Sequence, residues 1–308
     1  MAAQFQMSPE AIMVLNALLA TMMFGVSLGL KLEDFKAVLR RPVAPVTGLV
    51  AQFLLLPALT CLLTWMFEVE AGMALGMILV ASCPGGTFSN VMCWLGRANV
   101  ATSVSMTAVS SLAAIVFTPL NFAFYGSLNP YTAELLTSID LPAVNMVMFV
   151  VGVLAIPMMA GMLIGHRLPD LAQRIEPVFR AASLVVFLCF VVAAFAKHWQ
   201  LAMTVIGSVV FLVIAHNALA FSIGDLSSRA MGLSRGDRRA VTMEVGIQNS
   251  GLALAILFTF YPDAGSMLLI CGFWGVWHLI GGLSLAWIWS RQVRREERVK
   301  AAAFESAQ

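Results

Sequence analysis

Long apolar runs separated by short polar segments dominate the hydropathy pattern of this 308-residue chain. Because a helix needs about 20 mostly apolar residues to cross a bilayer, the pattern predicts nine transmembrane helices. The predicted spans are residues 10–30, 43–67, 71–96, 100–124, 141–165, 181–197, 200–223, 240–260 and 265–290. The longest polar stretches, near 125–140 and 224–239, are too short to build a soluble core. We therefore predict an all-α polytopic membrane protein in which residues 1–308 form a single transmembrane domain.

Two of the predicted spans contain residues that break helices. Pro84, Gly85 and Gly86 lie near the middle of the third span, and the sequence EVGIQNSG at residues 244–251 lies in the eighth. Proline removes a backbone donor and glycine frees the backbone, and in lipid the freed groups must be paired or must face a wet cavity. We predict two broken helices, with a simple packed kink as the alternative at the first position.

The positions of the two breaks indicate an inverted repeat. If each run crosses once, spans one to four and six to nine have opposite orientations, and the broken helix is third in each set, as in inverted-repeat transporters. The second halves begin near Thr87 and Ser250, where unpaired N–H groups and positive helix-dipole ends attract anions. The first halves end in carbonyl groups that suit a hard cation.

Composition and charge agree with a membrane location. The chain is 60% hydrophobic and 11% charged, whereas about a quarter of the residues in a soluble protein are charged. Of the 18 Lys and Arg residues, Lys197 alone falls outside the segments that nine spans place on one side. Because Lys and Arg concentrate in cytoplasmic loops, we predict an external N-terminus and a cytoplasmic C-terminus.

Several classes of site are disfavoured by the sequence. The chain has no His-Glu-x-x-His motif, no Gly-x-Ser-x-Gly motif and no pair of intramembrane aspartates, so we do not expect an intramembrane enzyme. The five cysteines show no pairing pattern, and the four scattered histidines offer no transition-metal site. A receptor or scaffold would not need two helix breaks at the membrane midplane.

Glu244 is the only one of 16 acidic residues that lies well within a predicted span. An acid at a helix centre costs roughly 2.5–3.5 kcal/mol on insertion scales, so its presence calls for a reason. A structural reason would be a protonated, hydrogen-bonded carboxyl group, or a side chain that reaches toward Arg238 and Arg239. The functional alternative is a cation or proton site.

Neutral oxygen donors within the spans favour the cation site. Gln248 lies on the same helix face as Glu244, four residues on, Gln52 lies in the second span, and Ser103 and Thr107 lie one turn apart in the fourth. A carboxylate with several neutral oxygens suits Na⁺, whereas a proton carrier needs only the acid.

The segments ASCPGGTFSNVM, AQFLLLP, TMEVGIQNSGLA and FWGVWH resemble the bile acid:sodium symporter family, and the similarity extends over about residues 12–290. The resemblance implies a core domain, in which two broken helices cross, and a panel domain. The core would comprise spans 43–67, 71–96, 100–124, 200–223, 240–260 and 265–290. The panel would comprise spans 10–30, 141–165 and 181–197.

The resemblance also implies ligand sets for two Na⁺ ions that share Glu244. One site would comprise Ser89, Asn90, Ser103, Thr107 and Glu244. The other would comprise Gln52, Glu244, Gln248 and the main-chain carbonyls of Val245 and Ile247. An organic anion would lie beside the crossing, near Thr87, Asn249 and His278. Leu279 departs from the family pattern, because several bacterial relatives have an asparagine after this histidine, and the departure affects the expected contact with the substrate head group.

The function that these features predict is Na⁺-coupled symport of an organic anion, bile acid-like or a small carboxylate, by alternating access. The expected location is the inner membrane of a bacterium, and the expected partners are the anion, sodium and lipid, without nucleic acid. The alternative is a proton-coupled transporter or exporter of an organic acid that uses Glu244 as its proton carrier. The sequence pattern selects neither the substrate nor an oligomeric state.

Overall fold

The chain folds into helices joined by short turns, as a computed structural model describes it for residues 13, 16, 17, 20, 21, 23–25, 27–138, 143–261 and 263–305. The α-helices with both ends in these ranges are α1 Leu32–Arg40, α2 Val43–Val50, α3 Leu56–Met66, α4 Ala71–Ser82, α5 Phe88–Leu95, α6 Val100–Leu128, α7 Pro130–Ser138, α8 Ala143–Val150, α9 Ile156–Arg167, α10 Pro169–Lys197, α11 Trp199–Ala230, α12 Arg235–Gly246, α13 Ser250–Phe260 and α14 Gly265–Glu305. Short π-helical stretches, Ala51–Leu55 and Val151–Ala155, join α2 to α3 and α8 to α9.

Five helical segments in the described part of the chain are long and apolar enough to cross a membrane. They are Val43–Met66, Val100–Leu128, Val144–Arg167, Trp199–Ala230 and Gly265–Val299. The prediction of an all-α integral membrane protein is confirmed. The count of nine crossings and the inverted repeat stay predictions, since the first predicted span, 10–30, is described only in part.

Both interruptions fall where the helix-breaking residues stand. The third predicted span is divided into α4, which ends at Ser82, and α5, which begins at Phe88. The eighth is divided between α12 and α13, with residues 247–249 between them. Two shorter apolar helices of the structure, α4 and α13, are therefore half-helices rather than complete spans.

The two interruptions pair with each other. Gly85 and Gln248 form an isolated antiparallel bridge. The Gly86 N–H donates to the Ile247 carbonyl at 2.7 Å, and the Asn249 N–H donates to the Pro84 carbonyl at 2.8 Å. Backbone groups that lack a helical partner at one break thus form hydrogen bonds with such groups at the other. This pairing is needed because unpaired backbone N–H and C=O groups are costly within a membrane.

Two glycines are required at this pairing by the closeness of the opposite chain. A Cβ atom on Gly85 would overlap the Glu244 carboxylate, and a Cβ atom on Gly86 would lie 2.9 Å from the Gln248 carbonyl oxygen. A larger residue at Gly86 would push the second break away from the first, and a larger residue at Gly85 would displace the Glu244 carboxylate. The Pro-Gly-Gly sequence therefore permits a close approach as well as a change of direction.

The half-helices α4 and α13 lie in the interior of the molecule. Residues 72–82 of α4 and 250–258 of α13 are all buried, as expected of helices that are apolar on every side. α4 packs against α6 and α14, and α13 packs mainly against α14. The half-helices are thus covered by longer helices of the structure.

Helix ends differ from the ends of the apolar runs in three places. The sixth predicted span, 181–197, is the second part of α10, a 29-residue helix that begins at Pro169. The polar stretch near 125–140 is helical in its described part, through the end of α6 and α7. The last helix continues to Glu305, beyond the predicted boundary at 290. Hydropathy marks where a helix leaves the bilayer, whereas charged residues with good helix propensity continue the helix in water.

Candidate functional site

Glu244 lies near the end of α12, two residues before the last helical position, and is 0% exposed. Three hydroxyl groups donate hydrogen bonds to its carboxylate. Ser89 Oγ lies 2.5 Å and Ser103 Oγ 3.2 Å from Oε2, and Thr107 Oγ1 lies 2.7 Å from Oε1. The carboxylate is thus surrounded by neutral oxygen groups.

The side chains of the two nearby arginines, Arg238 and Arg239, bond to groups other than Glu244. Arg238 pairs with Asp225 at 3.4 Å, and Arg239 donates to the Gly96 carbonyl at 3.3 Å and to Gln292 at 3.1 Å. The interpretation in which Glu244 reaches toward these arginines is therefore wrong. A buried acid held by neutral groups is the arrangement that the structure shows.

The first predicted ion-ligand set is assembled from three helices. Ser89 and Asn90 stand in the first turn of α5, and Ser103 and Thr107 stand one turn apart on α6, so they share a face. Thr107 Oγ1 also lies 3.4 Å from Asn90 Oδ1. All five residues of this set, with Glu244 from α12, therefore lie together.

The second predicted set gathers around the break between α12 and α13. Gln52 is buried in the π-helical stretch Ala51–Leu55, and its Nε2 donates to Gln248 Oε1 at 3.3 Å. Gln248 Nε2 donates to the Val245 carbonyl at 2.7 Å, and the Ile247 carbonyl accepts from the paired break. Glu244 adjoins this set through Gly85, whose Cα faces its carboxylate.

Gln52 carries a buried oxygen without a donor. Its Oε1 atom has no hydrogen-bond partner among the residues that the structure describes. Buried polar side-chain atoms are nearly always paired, so an oxygen left unpaired beside Gln248 requires an explanation. Gln52 also lies in a π-helical stretch, and such stretches occur frequently at functional sites.

The three residues expected near the substrate occupy different environments. Thr87 is the N-cap of α5 and makes no side-chain capping bond. Asn249 is the N-cap of α13, and its Oδ1 accepts from the Leu252 N–H at 3.0 Å. His278 is 3% exposed and lies behind the start of α13, with its Nδ1 atom 3.4 Å from Ser250 Oγ.

A cavity of about 380 Å³ adjoins the first ligand set. Its described lining is Gly29, Leu30, Thr87, Asn90, Val91, Trp94, Val100, Val104 and Glu176. Of the three predicted substrate residues this lining includes Thr87, but neither Asn249 nor His278. Asn90 belongs both to the lining and to the cluster around Glu244, so the cavity and the ion-ligand set share a wall.

Leu279 packs against an apolar cluster. The cluster includes Met92, Met243 and Ile247. The residue at which the sequence departs from the expected family pattern therefore contributes apolar packing here.

Two further polar residues within the predicted spans, to which the sequence pattern gave no role, donate hydrogen bonds to carbonyls at helix ends. Asn217 Nδ2 donates to the Gly246 carbonyl at 2.8 Å, and Thr118 Oγ1 donates to the Ser82 carbonyl at 2.8 Å. These carbonyls end α12 and α4, where no further turn supplies a donor. In the sequence, both residues could have been recognised as isolated polar side chains within apolar runs.

His216 is a packing residue. Its Nδ1 accepts from Trp274 Nε1 at 3.0 Å, and its Nε2 lies 2.8 Å from Thr60 Oγ1. A donor at Nδ1 requires the imidazole to be neutral with its proton on Nε2. Among the described residues no group of three His, Cys, Asp or Glu side chains could hold a metal ion.

Comparison with known proteins identifies relatives over most of the chain. Residues 16–205 match the model of the "Sodium Bile acid symporter family". A sodium-dependent transporter of Bacillus subtilis, YocS, is 29% identical over 282 residues, which are 91% of this chain and 84% of that protein. The probable sodium/metabolite cotransporter BASS1 of Arabidopsis thaliana is 30% identical over 280 residues, 89% of this chain and 66% of that protein. The human ileal sodium/bile acid cotransporter is 27% identical over 256 residues, 81% of this chain and 70% of that protein.

Proposed function

The chain belongs to the sodium bile acid symporter family, and we propose that it is a secondary active transporter that couples inward movement of Na⁺ to uptake of an organic anion. The family consists of transporters, so the protein is not an enzyme. The observation that carries the proposal is the buried Glu244 carboxylate, which accepts hydrogen bonds from hydroxyl groups of two other helices, α5 and α6, where the two helix breaks cross.

The first Na⁺ would bind between Glu244 and the hydroxyl groups of α5 and α6. Na⁺ is a hard cation that takes oxygen ligands. A hydroxyl group can donate to the carboxylate when the ion is absent and can turn a lone pair to the ion when it is present. Ser89, Ser103 and Thr107 already lie within hydrogen-bond distance of the carboxylate, and Asn90 adds an amide oxygen at Thr107.

The second Na⁺ would bind between the same carboxylate and the amides of Gln52 and Gln248, with the carbonyls of Val245 and Ile247. The unpaired Gln52 Oε1 supports this assignment, because a cation would supply the partner that this oxygen lacks. Two ions that share one carboxylate explain why one acid within the membrane is accompanied by so many neutral oxygens.

The membrane potential gives this coupling a direction. Two positive charges that move inward through 100 mV release roughly 4.6 kcal/mol, at about 2.3 kcal/mol each. About half of this remains after the charge of one accompanying monoanion is subtracted. Na⁺ carried inward therefore drives accumulation of a singly charged anion.

Contacts on one side of the crossing and a cavity on the other support alternating access. Thr259 Oγ1 of α13 donates to Asn16 at 3.0 Å, and Phe149 of α8 packs edge-on to Phe260 of α13 with ring centroids 5.1 Å apart. The cavity lies toward the opposite end, along α5 and the start of α6. With nine crossings and an external N-terminus, the contacts are external and the cavity is on the cytoplasmic side, as in an inward-facing conformation.

The contacts near Asn16 and Phe149 would join the two proposed bodies. The core would contain spans 43–67, 71–96, 100–124, 200–223, 240–260 and 265–290, and the panel would contain spans 10–30, 141–165 and 181–197. Both external contacts join a panel span to α13 of the core. Separation of these contacts and closure of the cavity would produce the outward-facing state.

A small singly charged organic anion suits the cavity best. The described lining holds one acid, Glu176, and no Lys or Arg, so the positive end of α5 at Thr87, away from that acid in sequence, would have to supply the attraction for an anion. A volume of about 380 Å³ is at the small end of ligand pockets, which range over about 300–1,000 Å³. One carboxylate or sulfonate would receive hydrogen bonds from Thr87 and the first turn of α5, with Asn249 reached through a rearrangement of its cap.

A thermal-stability screen tests the proposed function directly. Purified protein is heated with monocarboxylates, dicarboxylates, sulfonates and bile acids, in NaCl and in choline chloride at equal ionic strength. We expect at least one singly charged acid to raise the melting temperature in Na⁺ and to have no effect in choline, because the ligand binds the loaded protein. The hit is then assayed for uptake in proteoliposomes. Uptake that needs a pH gradient and is indifferent to Na⁺ would favour the proton-coupled alternative.

A further inference from the structure

The first turn of α12 carries an acid that joins this helix to the start of α6. Asp237 Oδ1 accepts from Asn99 Nδ2 and from Thr102 Oγ1, each at 2.7 Å. Its Oδ2 accepts from Ser234 Oγ at 2.7 Å, and the Asn99 N–H donates to the Gly236 carbonyl at 3.1 Å. Asn99 and Ser234 are the N-caps of α6 and α12, so one carboxylate links two helix N-termini.

Two residues further on, a buried arginine joins the same helix to the end of α5. Arg239 is 4% exposed, and its guanidinium donates to the carbonyl of Gly96, the C-cap of α5, at 3.3 Å. The guanidinium also donates to Gln292 at 3.1 Å and lies 5.2 Å from the centroid of the Trp289 ring on α14. The Arg239 guanidinium is therefore fixed both by hydrogen bonds and by packing on the Trp289 ring.

The sign of each charge matches the helix end that it meets. Helix N-termini carry partial positive charge and helix C-termini partial negative charge, so an aspartate at the start of α6 and an arginine at the end of α5 are both attractive. Exchange of the two residues would reverse both interactions. The pair therefore fixes which part of α12 lies beside the turn that joins α5 to α6.

The helices joined at this turn are the ones that carry the ligands around Glu244. Glu244 follows Asp237 by seven residues, which is about 10 Å along a helix axis. Thr102 immediately precedes Ser103, and Gly96 ends the helix that begins beside Ser89. A small displacement of α12 along its axis would lengthen the bonds between the carboxylate and the hydroxyl groups, which weaken steeply with distance and angle.

We propose that Asp237 and Arg239 are positioning residues that set the position of α12 against α5 and α6, and thereby the Na⁺ affinity of the cluster around Glu244. This inference rests on the proposed function. Neither residue contacts the proposed ion. Their loss changes the geometry of the ligands and leaves their number unchanged, so the maximal response at saturating Na⁺ is retained while more Na⁺ is needed to reach it.

The test compares Asp237→Asn and Arg239→Gln with two controls at the same level of the protein. Asp225 and Arg238 form an ion pair at 3.4 Å that joins α11 to α12, and Asp225 also pairs with Arg229 of α11. Their described ion pairs do not reach α5 or α6, so Asp225→Asn and Arg238→Gln remove charges of the same kind from the same end of α12. Na⁺ is titrated against the full-length purified variants, with melting temperature as the readout and choline chloride holding ionic strength constant. Substrate KM at saturating Na⁺ is measured in proteoliposomes.

We expect each positioning variant to raise the Na⁺ half-saturation concentration about tenfold, the change that corresponds to loss of about one charge-assisted bond. The controls keep the wild-type value, and KM for substrate at saturating Na⁺ is unchanged in all variants. Folded positioning variants with wild-type Na⁺ half-saturation would overturn the inference, even if their melting temperatures in choline are lower.

Two further variants keep the outcome decisive. If Asp237→Asn does not yield folded protein, Thr102→Val removes one of the same bonds and is expected to shift Na⁺ half-saturation in the same direction. Glu244→Gln separates this inference from the proposed function. Loss of the Na⁺ response in Glu244→Gln together with a wild-type response in the positioning variants refutes only the inference, whereas a normal response in Glu244→Gln refutes both.

Discussion

Thr107 Oγ1 donates a 2.7 Å hydrogen bond to Glu244 Oε1, although 137 positions separate the two residues in the chain. Thr107 comes from α6 and Glu244 from α12, so the contact joins the two halves of the sequence at the level of the helix breaks. Buried polar groups within a membrane need hydrogen-bond partners, and here the hydroxyl group and the carboxylate are partners of each other. The carboxylate with its hydroxyl groups is therefore the centre of the site.

The two proposed ion sites can be separated by substitution. Ser103→Ala with Thr107→Val should weaken the site on α5 and α6, and Gln52→Ala with Gln248→Ala should weaken the site at the second break. Each pair should lower the apparent Na⁺ affinity and reduce the Hill coefficient of Na⁺-dependent uptake from near two toward one. A wild-type Hill coefficient of one that neither pair changes would indicate a single ion.

Gly85 should not tolerate a side chain. A Cβ atom there would overlap the Glu244 carboxylate, so Gly85→Ala should displace the carboxylate from its hydroxyl partners and abolish Na⁺-driven uptake. Gly207 on α11 is the control, because a Cβ atom there meets no described atom within 4 Å, and Gly207→Ala should be neutral or slightly stabilising in a helix. Uptake and melting temperature are measured for both. Equal activity in the two variants would contradict the close approach of Glu244 to Gly85.

Substrate affinity should depend on Thr87. Thr87→Val keeps the shape of the side chain and removes its hydroxyl group, and loss of one bond to a buried polar group costs about 1–3 kcal/mol. The substrate Kd should therefore rise roughly 5- to 150-fold, while Na⁺ affinity without substrate stays close to wild type. Thr137, an exposed residue of α7 whose hydroxyl donates to the Ala133 carbonyl of the same helix, provides the control variant Thr137→Val. Calorimetry with the ligand from the screen makes the comparison.

Asn249→Ala should affect both substrate affinity and stability. The amide oxygen caps α13 by accepting from the Leu252 N–H, and loss of an N-cap costs about 1 kcal/mol of stability. The melting temperature should fall in Asn249→Ala and stay unchanged in Thr87→Val, whose side chain makes no capping bond. Unchanged substrate affinity in both variants would place the anion away from the crossing.

The orientation of the chain can be tested by labelling. Met231, in the turn between α11 and α12, and Glu134, on α7, are both exposed. In a cysteine-free background, an impermeant thiol reagent added to intact cells should label Glu134→Cys and should leave Met231→Cys unlabelled until the cells are opened. Labelling of position 231 in intact cells would contradict the nine-span orientation.

Hydropathy predicted the features that are expensive in lipid. Glu244, the Pro84-Gly85-Gly86 break and the break before Ser250 could be found because polar groups and freed backbone in a bilayer need partners. The pattern could not show that these partners are each other. The bridge between Gly85 and Gln248 joins residues far apart in sequence, and no local rule predicts such a contact.

Other features were hidden because they leave no periodic signal. Hydropathy did not reveal that α10 begins at Pro169, because a helix continues in water where charged residues favour it. The donor from Asn217 to the Gly246 carbonyl depends on how α11 packs against α12. The links from Asp237 and Arg239 could not be predicted for the same reason, since their partners lie on helices whose relative positions are set by tertiary packing.

The most direct test of the account is Na⁺ binding to Glu244→Gln. Glutamine keeps the size of the side chain and removes its charge, and a neutral group at this depth should insert at least as readily as the acid. Wild-type protein should gain thermal stability with Na⁺ in a saturable manner, with a Hill coefficient near two, and Glu244→Gln should fold but show no Na⁺-dependent gain over choline. A Glu244→Gln protein that retains the wild-type Na⁺ response would contradict a shared carboxylate as the centre of Na⁺ coupling.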